Sequence, residues 1–325
     1  MTPRPELAID TARRAPGSRP ASALHEEVLR GLHGSPKTLP PKLFYDEIGA
    51  ELFERICTLP EYYLTRAELT LLRACAGEVA TLAGPRAALV EYGSGAGVKV
   101  RLLLDALEAP AAYVPIDISR LQLARVAGEL AAEYPAVMVR PLCADYTATI
   151  NLPALPAGAR RLAFFPGSTI GNFHPTEAAA FLRRIRRTVG AGGALVLGVD
   201  RRKSATVLNA AYGDAEGITA AFNRNLLVRL NREFDAGFDL ARFAHHAFFN
   251  ADASRVEMHL VSLAHQTVPV AGEEITFAAG ESIWTESSYK YDRERLEQLV
   301  TAAGFRLTRL WTDARDQFWV GFLDA

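Results

Sequence analysis

The chain has 325 residues, 49% of them hydrophobic and 22% charged, a balance that suits a globular protein with room for one large domain or two moderate ones. Lys and Arg total 36 against 37 Asp and Glu, so the net charge of −1 offers no electrostatic footprint for nucleic acid, and no apolar run reaches membrane-spanning length. Three widely spaced cysteines, Cys57, Cys75 and Cys143, indicate neither a disulfide framework nor a zinc site, and reduced thiols in a cytoplasmic protein are the expectation.

Residues 1–21 mix Arg, Pro, Glu and Asp without an apolar segment and read as a disordered tail, not a secretory signal. Leu24, Val28, Leu29 and Leu32 recur at helical spacing over 22–34. Pro36, Pro40 and Pro41 then force an extended crossing. A second helix is expected over 42–57, with Ile48, Leu52, Phe53 and Ile56 on one face. Leu59-Pro60-Glu61-Tyr62-Tyr63 breaks it, and Thr65 with Glu68 reads as a capping box for the next helix.

An α/β alternation follows. Residues 87–92 form an apolar strand running into Gly93-Ser94-Gly95-Ala96-Gly97, and Leu103, Leu104 and Leu107 mark the helix beyond. A glycine turn lets backbone N–H groups approach a ligand closely. The sixth position of a dinucleotide fingerprint is Val98 and not Gly, so a turn preceded by an acid, Glu91, suits S-adenosylmethionine better than a pyrophosphate. The second strand, 113–117, ends in Asp117, placed to bond ribose hydroxyls or to cap the helix over 120–133. The third strand, 137–142, precedes Asp145, which either accepts from an adenine amino group or opens a loop. The fourth, 162–165, runs into a polar, glycine-rich stretch over 166–173, where substrate meets cofactor in doubly wound sheets. A helix over 175–189 and a strand over 194–199 complete the alternation.

Beyond Asp200 the pattern changes. Residues 203–234 read as helical, and strands are expected over 243–249, 256–263, 267–270 and 275–277. His245 and His246 should face opposite sides of their strand, with no metal between them. A late helix near 296–300 and two strands, 305–311 and 318–323, end the chain. The division is thus an α/β core over 66–200 and 291–325, and a second region over 22–65 and 201–290.

Several ordered stretches together resemble the histidine-specific Nα-methyltransferases of ergothioneine biosynthesis: Lys37-Thr38-Leu39-Pro40-Pro41-Lys42, Leu59-Pro60-Glu61-Tyr62-Tyr63, Glu91-Tyr92-Gly93-Ser94-Gly95, Gly167-Ser168-Thr169-Ile170-Gly171-Asn172 and 217–225. The resemblance runs from about residue 24 to the end. It implies a class I S-adenosylmethionine-dependent methyltransferase core, a Rossmann-like doubly wound sheet, with a second α+β domain for substrate. It implies cofactor contacts from Gly93, Lys99, Asp117, Asp145, Tyr146 and Gly167, where the family has Phe at position 146. It implies Asn172 and Tyr212 on the substrate α-carboxylate, an imidazole pocket from Tyr62, Glu286, Ser287 and Ser288 with Met258 packed nearby, and Tyr45 near the amine. The implied reaction is threefold methylation of L-histidine to hercynine by a cytoplasmic enzyme, with no metal, nucleic acid or membrane partner and a monomer as the expected state. The alternatives are an Nα-methyltransferase for another amino acid such as tryptophan, a NAD-dependent oxidoreductase, and a non-catalytic S-adenosylmethionine-binding module.

Overall fold

The computed structural model describes Asp10–Thr11 and residues 20–325. The expected tail, residues 1–21, lies outside the described residues except for those two and the first two residues of a helix. In chain order the elements are β1 (Asp10–Thr11), α1 (Pro20–Leu32), β2 (Lys37–Thr38), α2 (Glu47–Ile56), α3 (Tyr63–Ala83), β3 (Ala88–Tyr92), α4 (Val98–Ala106), β4 (Ala112–Asp117), α5 (Arg120–Glu133), β5 (Met138–Val139), β6 (Leu142–Cys143), β7 (Arg161–Phe165), α6 (Pro175–Val189), β8 (Ala194–Asp200), α7 (Ala205–Tyr212), α8 (Ile218–Glu233), β9 (Phe243–Asn250), β10 (Arg255–Ser262), β11 (Gln266–Val270), β12 (Glu273–Phe277), β13 (Ser282–Tyr289), α9 (Arg293–Ala302), β14 (Arg306–Thr312) and β15 (Phe318–Asp324). They fall into two compact units. No helix among the described residues is long and apolar enough to cross a membrane.

The first unit comprises β1, residues 66–201 and residues 291–325. Its sheet runs β1-β6-β4-β3-β7-β8-β15-β14, with β5 also beside β4. Every residue of β3 and β8 is buried, as in parallel strands covered on both faces. β3 pairs in parallel with β4 on one side and β7 on the other, so strand order reverses at β3 and the crevice for a ligand opens beyond its C-terminal end. The C-terminal hairpin closes the edge, β15 lying antiparallel to both β8 and β14. Tyr113, Phe164, Phe165, Phe181, Phe318 and Phe322 are among the largest fully buried side chains. This is the mixed α/β architecture of class I methyltransferases. The expected third strand is split into β5 and β6, because Pro141 cannot donate to a ladder.

The second unit comprises residues 202–290 with the described residues before Arg66. Its four-stranded sheet runs β2-β13-β10-β9, and β11 pairs with β12 as a separate ribbon. The helix expected over 42–57 is broken: Pro41–Phe44 form a 3-10 turn and Asp46 caps α2, its carboxylate accepting the Gly49 N–H at 2.8 Å. Asp46 also accepts from Asn225 Nδ2 and Arg232 Nη2, both at 2.8 Å, so it ties α2 to α8. Phe44 stacks on Phe222 of α8 with centroids 4.4 Å apart.

The strand β13 is absent from the sequence expectation because its alternation is interrupted. Met258 pairs with Glu286, but His259 pairs with Trp284, so Thr285 is an extra residue in the ladder. Thr285 is 1% exposed, and its hydroxyl donates to the Met258 carbonyl at 3.0 Å. This bulge turns Glu286 onto the face of Met258 and leaves Trp284 on the opposite one, where it stacks near His259 at 6.0 Å. His245 and His246 do face opposite sides: His245 reaches Asn223 on α8, and His246 is exposed beside Phe248.

Candidate active site

In the first unit, candidate cofactor residues gather where β3, β4 and β7 end. Gly93, Gly95 and Gly97 adopt φ values of 76°, 48° and 69°, a region open to glycine at little cost. A Cβ on Gly95 would meet nothing within 4 Å, so the turn has open space above it. Ser94 Oγ is buried in this turn with no hydrogen-bond partner among the described residues. Asp117 accepts from Gly95 N at 3.3 Å and from Ser119 N at 3.0 Å. It therefore both pins the turn and holds Ser119, the residue that precedes α5, and burial raises its pKa against those N–H donors. Below it Glu91, 1% exposed, accepts the Tyr113 hydroxyl at 2.5 Å, and burial pushes its pKa up to about 8.

Asp145 takes the N–H and hydroxyl of Thr147, at 2.9 and 2.5 Å, so it shapes its own loop. Tyr146 lies among Tyr92, Phe165 and Phe181, with its ring edge 3.6 Å from where a Gly93 Cβ would sit.

Lys99 and Gly167 meet at a residue that sequence reasoning placed in a capping box. α3 begins at Tyr63, so Thr65 is inside the helix and caps nothing. Glu68, 1% exposed, accepts the Gly167 N–H with both oxygens, at 2.8 and 3.0 Å, and pairs with Lys99 Nζ at 2.6 Å. The following loop spends its polar groups on itself: Ser168 Oγ accepts from Asp200 N at 2.8 Å and Thr169 Oγ1 donates to Pro166 O at 2.9 Å. Asn172 ends the 3-10 turn Thr169–Asn172 and is half-buried. Gly198 leaves room for Glu68: a Cβ there would collide with the carboxylate and stand 3.2 Å from Gly167 N. Gly198→Ala is expected to lower stability by about 1–3 kcal/mol through overpacking and to weaken cofactor binding. Thermal melts and titration with S-adenosylhomocysteine check this, and wild-type behaviour in both would refute the assignment of Glu68 as the tie.

In the second unit, a pocket with about 310 Å³ of empty space, part of it open to solvent, is lined by Tyr45, Phe53, Ile56, Tyr62, Ala211, Tyr212, Thr219, Phe222, Met258 and Glu286. Of these, Tyr45, Tyr62, Tyr212, Met258 and Glu286 are sequence candidates, and the structure brings them together. Tyr62 and Tyr212 meet edge to face at 6.2 Å. The Tyr62 phenol has its pKa raised well above 10.0, by burial first, then by Tyr212, Cys57 and Glu286. Tyr45 is 37% exposed. Ser288 joins through its hydroxyl, which accepts from Tyr212 at 2.8 Å. Ser287 does not: it pairs with Glu257 on the opposite face, because side chains alternate past the bulge, and its expected substrate role is corrected on that ground. Phe53, Thr219 and Phe222 were missed as site residues. Thr219 and Phe222 lie in the stretch 217–225 that carries the family resemblance, so that stretch held the signal.

The position of Tyr212 depends on His245. Its Nε2 lies 3.0 Å from the Tyr212 carbonyl, a pure acceptor, so that nitrogen carries the proton and Nδ1 accepts from Asn223 Nδ2 at 2.9 Å. Burial lowers the His245 pKa from its ordinary 6.5. The unfolded chain then takes up this proton near pH 6.5 and the folded chain only at lower pH. Stability from this group is complete above that pH and declines as pH falls toward the depressed folded value. Urea melts between pH 7 and 5 (about the span in which imidazoles titrate) should show a decline that flattens in His245→Asn; an unchanged slope would assign it to other groups.

Among the described residues no cluster of three His, Cys, Asp or Glu side chains forms a metal site. The first unit thus defines a nucleotide-cofactor methyltransferase fold, and the second unit holds a pocket of amino-acid size. Residues 24–325 match the model of the family described as "Histidine-specific methyltransferase, SAM-dependent". The chain is 42% identical to "Histidine N-alpha-methyltransferase" of Mycolicibacterium smegmatis, across 96% of this chain and 95% of that one. It is also 42% identical to the protein of the same name from Mycobacterium tuberculosis, across 91% and 93% of the two chains. "Ergothioneine biosynthesis protein 1" of Neurospora crassa is 30% identical across 85% of this chain but only 32% of its own. The chain belongs to the family of S-adenosylmethionine-dependent, histidine-specific methyltransferases.

Proposed function

We propose that this enzyme methylates the α-amino group of L-histidine three times, giving hercynine for ergothioneine biosynthesis in the cytoplasm, as a monomer and without a metal. The observation that carries the reading is the pairing of Met258 with Glu286 across a bulge, which puts a carboxylate into an aromatic-walled pocket. A carboxylate accepts an imidazole N–H, and the rings of Phe53, Tyr62 and Phe222 flank the space beside it.

S-adenosylmethionine supplies an electrophilic methyl group for in-line displacement by a neutral amine. The open space over Gly95 and the unpartnered Ser94 Oγ suit a bound cofactor, with Gly93, Lys99, Asp117, Asp145, Tyr146 and Gly167 as its proposed contacts. Of these, Asp117 would hold the ribose hydroxyls, while Lys99 and Gly167 are set by Glu68. On the substrate, Glu286 would hold the imidazole, with Tyr62 and Ser288 beside it, and Tyr212 the carboxylate. Fixing both ends of the amino acid positions its nitrogen without a bond to it, so that each added methyl finds room. Tyr45, itself exposed, would lead the released proton to water.

The test is mass spectrometry of the purified protein with S-adenosylmethionine and each amino acid in turn. Histidine should gain three methyl groups; accumulation of a monomethyl product alone would overturn trimethylation, and methylation of tryptophan in preference to histidine would overturn the role of Glu286.

A further inference from the structure

The indole of Trp284 stands on the face of β13 opposite the pocket, yet it reaches the backbone of Glu286. Its Nε1–H donates to the Glu286 carbonyl at 2.9 Å, past the extra residue Thr285. The ring is held in turn by side chains of β10. The Arg255 guanidinium lies 4.3 Å from its centroid, and the His259 ring is parallel to it within 17° at 6.0 Å. Arg255 is itself fixed, donating to Glu257 at 2.8 Å and to the Tyr289 hydroxyl at 2.5 Å. His259 lies 3.2 Å from the other Glu257 oxygen and 3.1 Å from Ser282 Oγ.

We propose that Trp284 is a positioning residue, whose indole N–H holds the bulge in the backbone geometry that presents Glu286 to the imidazole. The inference rests on the assignment of Glu286 to that ring. In a regular strand the backbone ladder sets which way each side chain points, and no further tie is needed. A bulge disrupts the ladder and leaves its extra residue unpaired, so side-chain direction there depends on other bonds. Side-chain bonds supply it here. Thr285 Oγ1 ties the bulged residue to the Met258 carbonyl on the facing strand. Trp284 Nε1 fixes the carbonyl that follows the Glu286 Cα, and with it the rotation of that peptide plane. The Cα–Cβ direction of Glu286 is therefore set from both sides. An indole suits the task because it only donates, and because a guanidinium over its ring holds the ring plane. Phenylalanine can fill the same stack but carries no donor. Trp284 acts through Glu286 and does not touch the substrate.

The test is a double-mutant cycle with Glu286→Ala on full-length protein, with folding checked by a thermal melt. It is read as kcat/KM for histidine and as the ratio of methylated histidine to methylated tryptophan in competition. Trp284→Phe should lower kcat/KM for histidine about 3- to 30-fold, the scale of one neutral hydrogen bond and the desolvation its loss leaves behind. The loss should come mostly from a higher KM, with kcat changing little. The histidine-to-tryptophan ratio should fall with it, while the affinity for S-adenosylhomocysteine stays at the wild-type level. In the Glu286→Ala background the same substitution should change kcat/KM for histidine by less than about 2-fold, because the carboxylate through which it acts is gone. A purely structural role would give the same loss in both backgrounds. If Trp284→Phe does not fold, benzothienylalanine at position 284 keeps the bicyclic ring, exchanges only the N–H for sulfur, and carries the same expectations. Wild-type histidine kinetics in a folded protein without the N–H, or an equal loss in both backgrounds, overturns the role of Trp284 and leaves Glu286 in place. Glu286→Ala with wild-type histidine activity overturns the reading of the pocket itself, and the inference about Trp284 with it.

Discussion

Replacing Asp117 with alanine is expected to lower the affinity for S-adenosylhomocysteine by about 100-fold or more, while kcat at saturating cofactor changes only a few-fold. Hydrogen bonds to a charged group contribute about 1.5–3 kcal/mol each, and a ribose offers this carboxylate two hydroxyls. A second contribution comes from the fold itself. Asp117 already accepts the N–H of Gly95 and of Ser119, so the same side chain shapes the glycine turn and holds the residue that precedes α5. Asp117→Asn keeps one acceptor oxygen and should fall between wild type and alanine. Titration by calorimetry reads the affinity, and a thermal melt separates the two contributions. Alanine and asparagine variants that bind S-adenosylhomocysteine like wild type would remove Asp117 from the cofactor site.

The α/β core was readable because its signals are local and redundant. An apolar run, a glycine turn and a helical period together set β3 and α4, and the same grammar set α5 at Arg120–Glu133 and α6 at Pro175–Val189. What escaped the sequence depended on partners far along the chain. Glu68 stands three residues after Thr65, the spacing of a capping box, yet its carboxylate is held by Gly167, 99 residues away. Asp46 interrupts an apparently continuous amphipathic helix because its carboxylate serves α2 and two side chains of α8 at once. Asn223 and Asn225 lie in the stretch 217–225 that carries the resemblance, and their partners are remote: one bonds His245 behind Tyr212 and the other bonds Asp46. The site residues themselves came from the resemblance. Sequence periodicity alone would have put Glu286 on the wrong face, since in an unbroken strand it shares a face with Trp284.

That reversal of face makes Glu286 the most informative position in the pocket. Glu286→Ala should reduce kcat/KM for histidine about 10- to 150-fold, the range set by one hydrogen bond to a charged group. Glu286→Gln keeps the shape and one acceptor, and should lose less. The loss arises twice, because the imidazole forfeits its acceptor and its N–H is left facing apolar walls. An indole has the opposite requirement: its large apolar ring gains from removal of a carboxylate that must otherwise be desolvated. Tryptophan methylation should therefore rise in Glu286→Ala relative to histidine methylation, measured in competition within one reaction so that enzyme concentration cancels. The bulge supplies the structural control. Deleting Thr285 removes the extra residue and makes Trp284 and Glu286 neighbours, which simple alternation still sets on opposite faces, so Glu286 stays opposite Met258 and the folded deletion should retain histidine methylation. If the folded Thr285 deletion loses histidine activity as Glu286→Ala does, the register that pairs Met258 with Glu286 is not what presents the carboxylate to the imidazole.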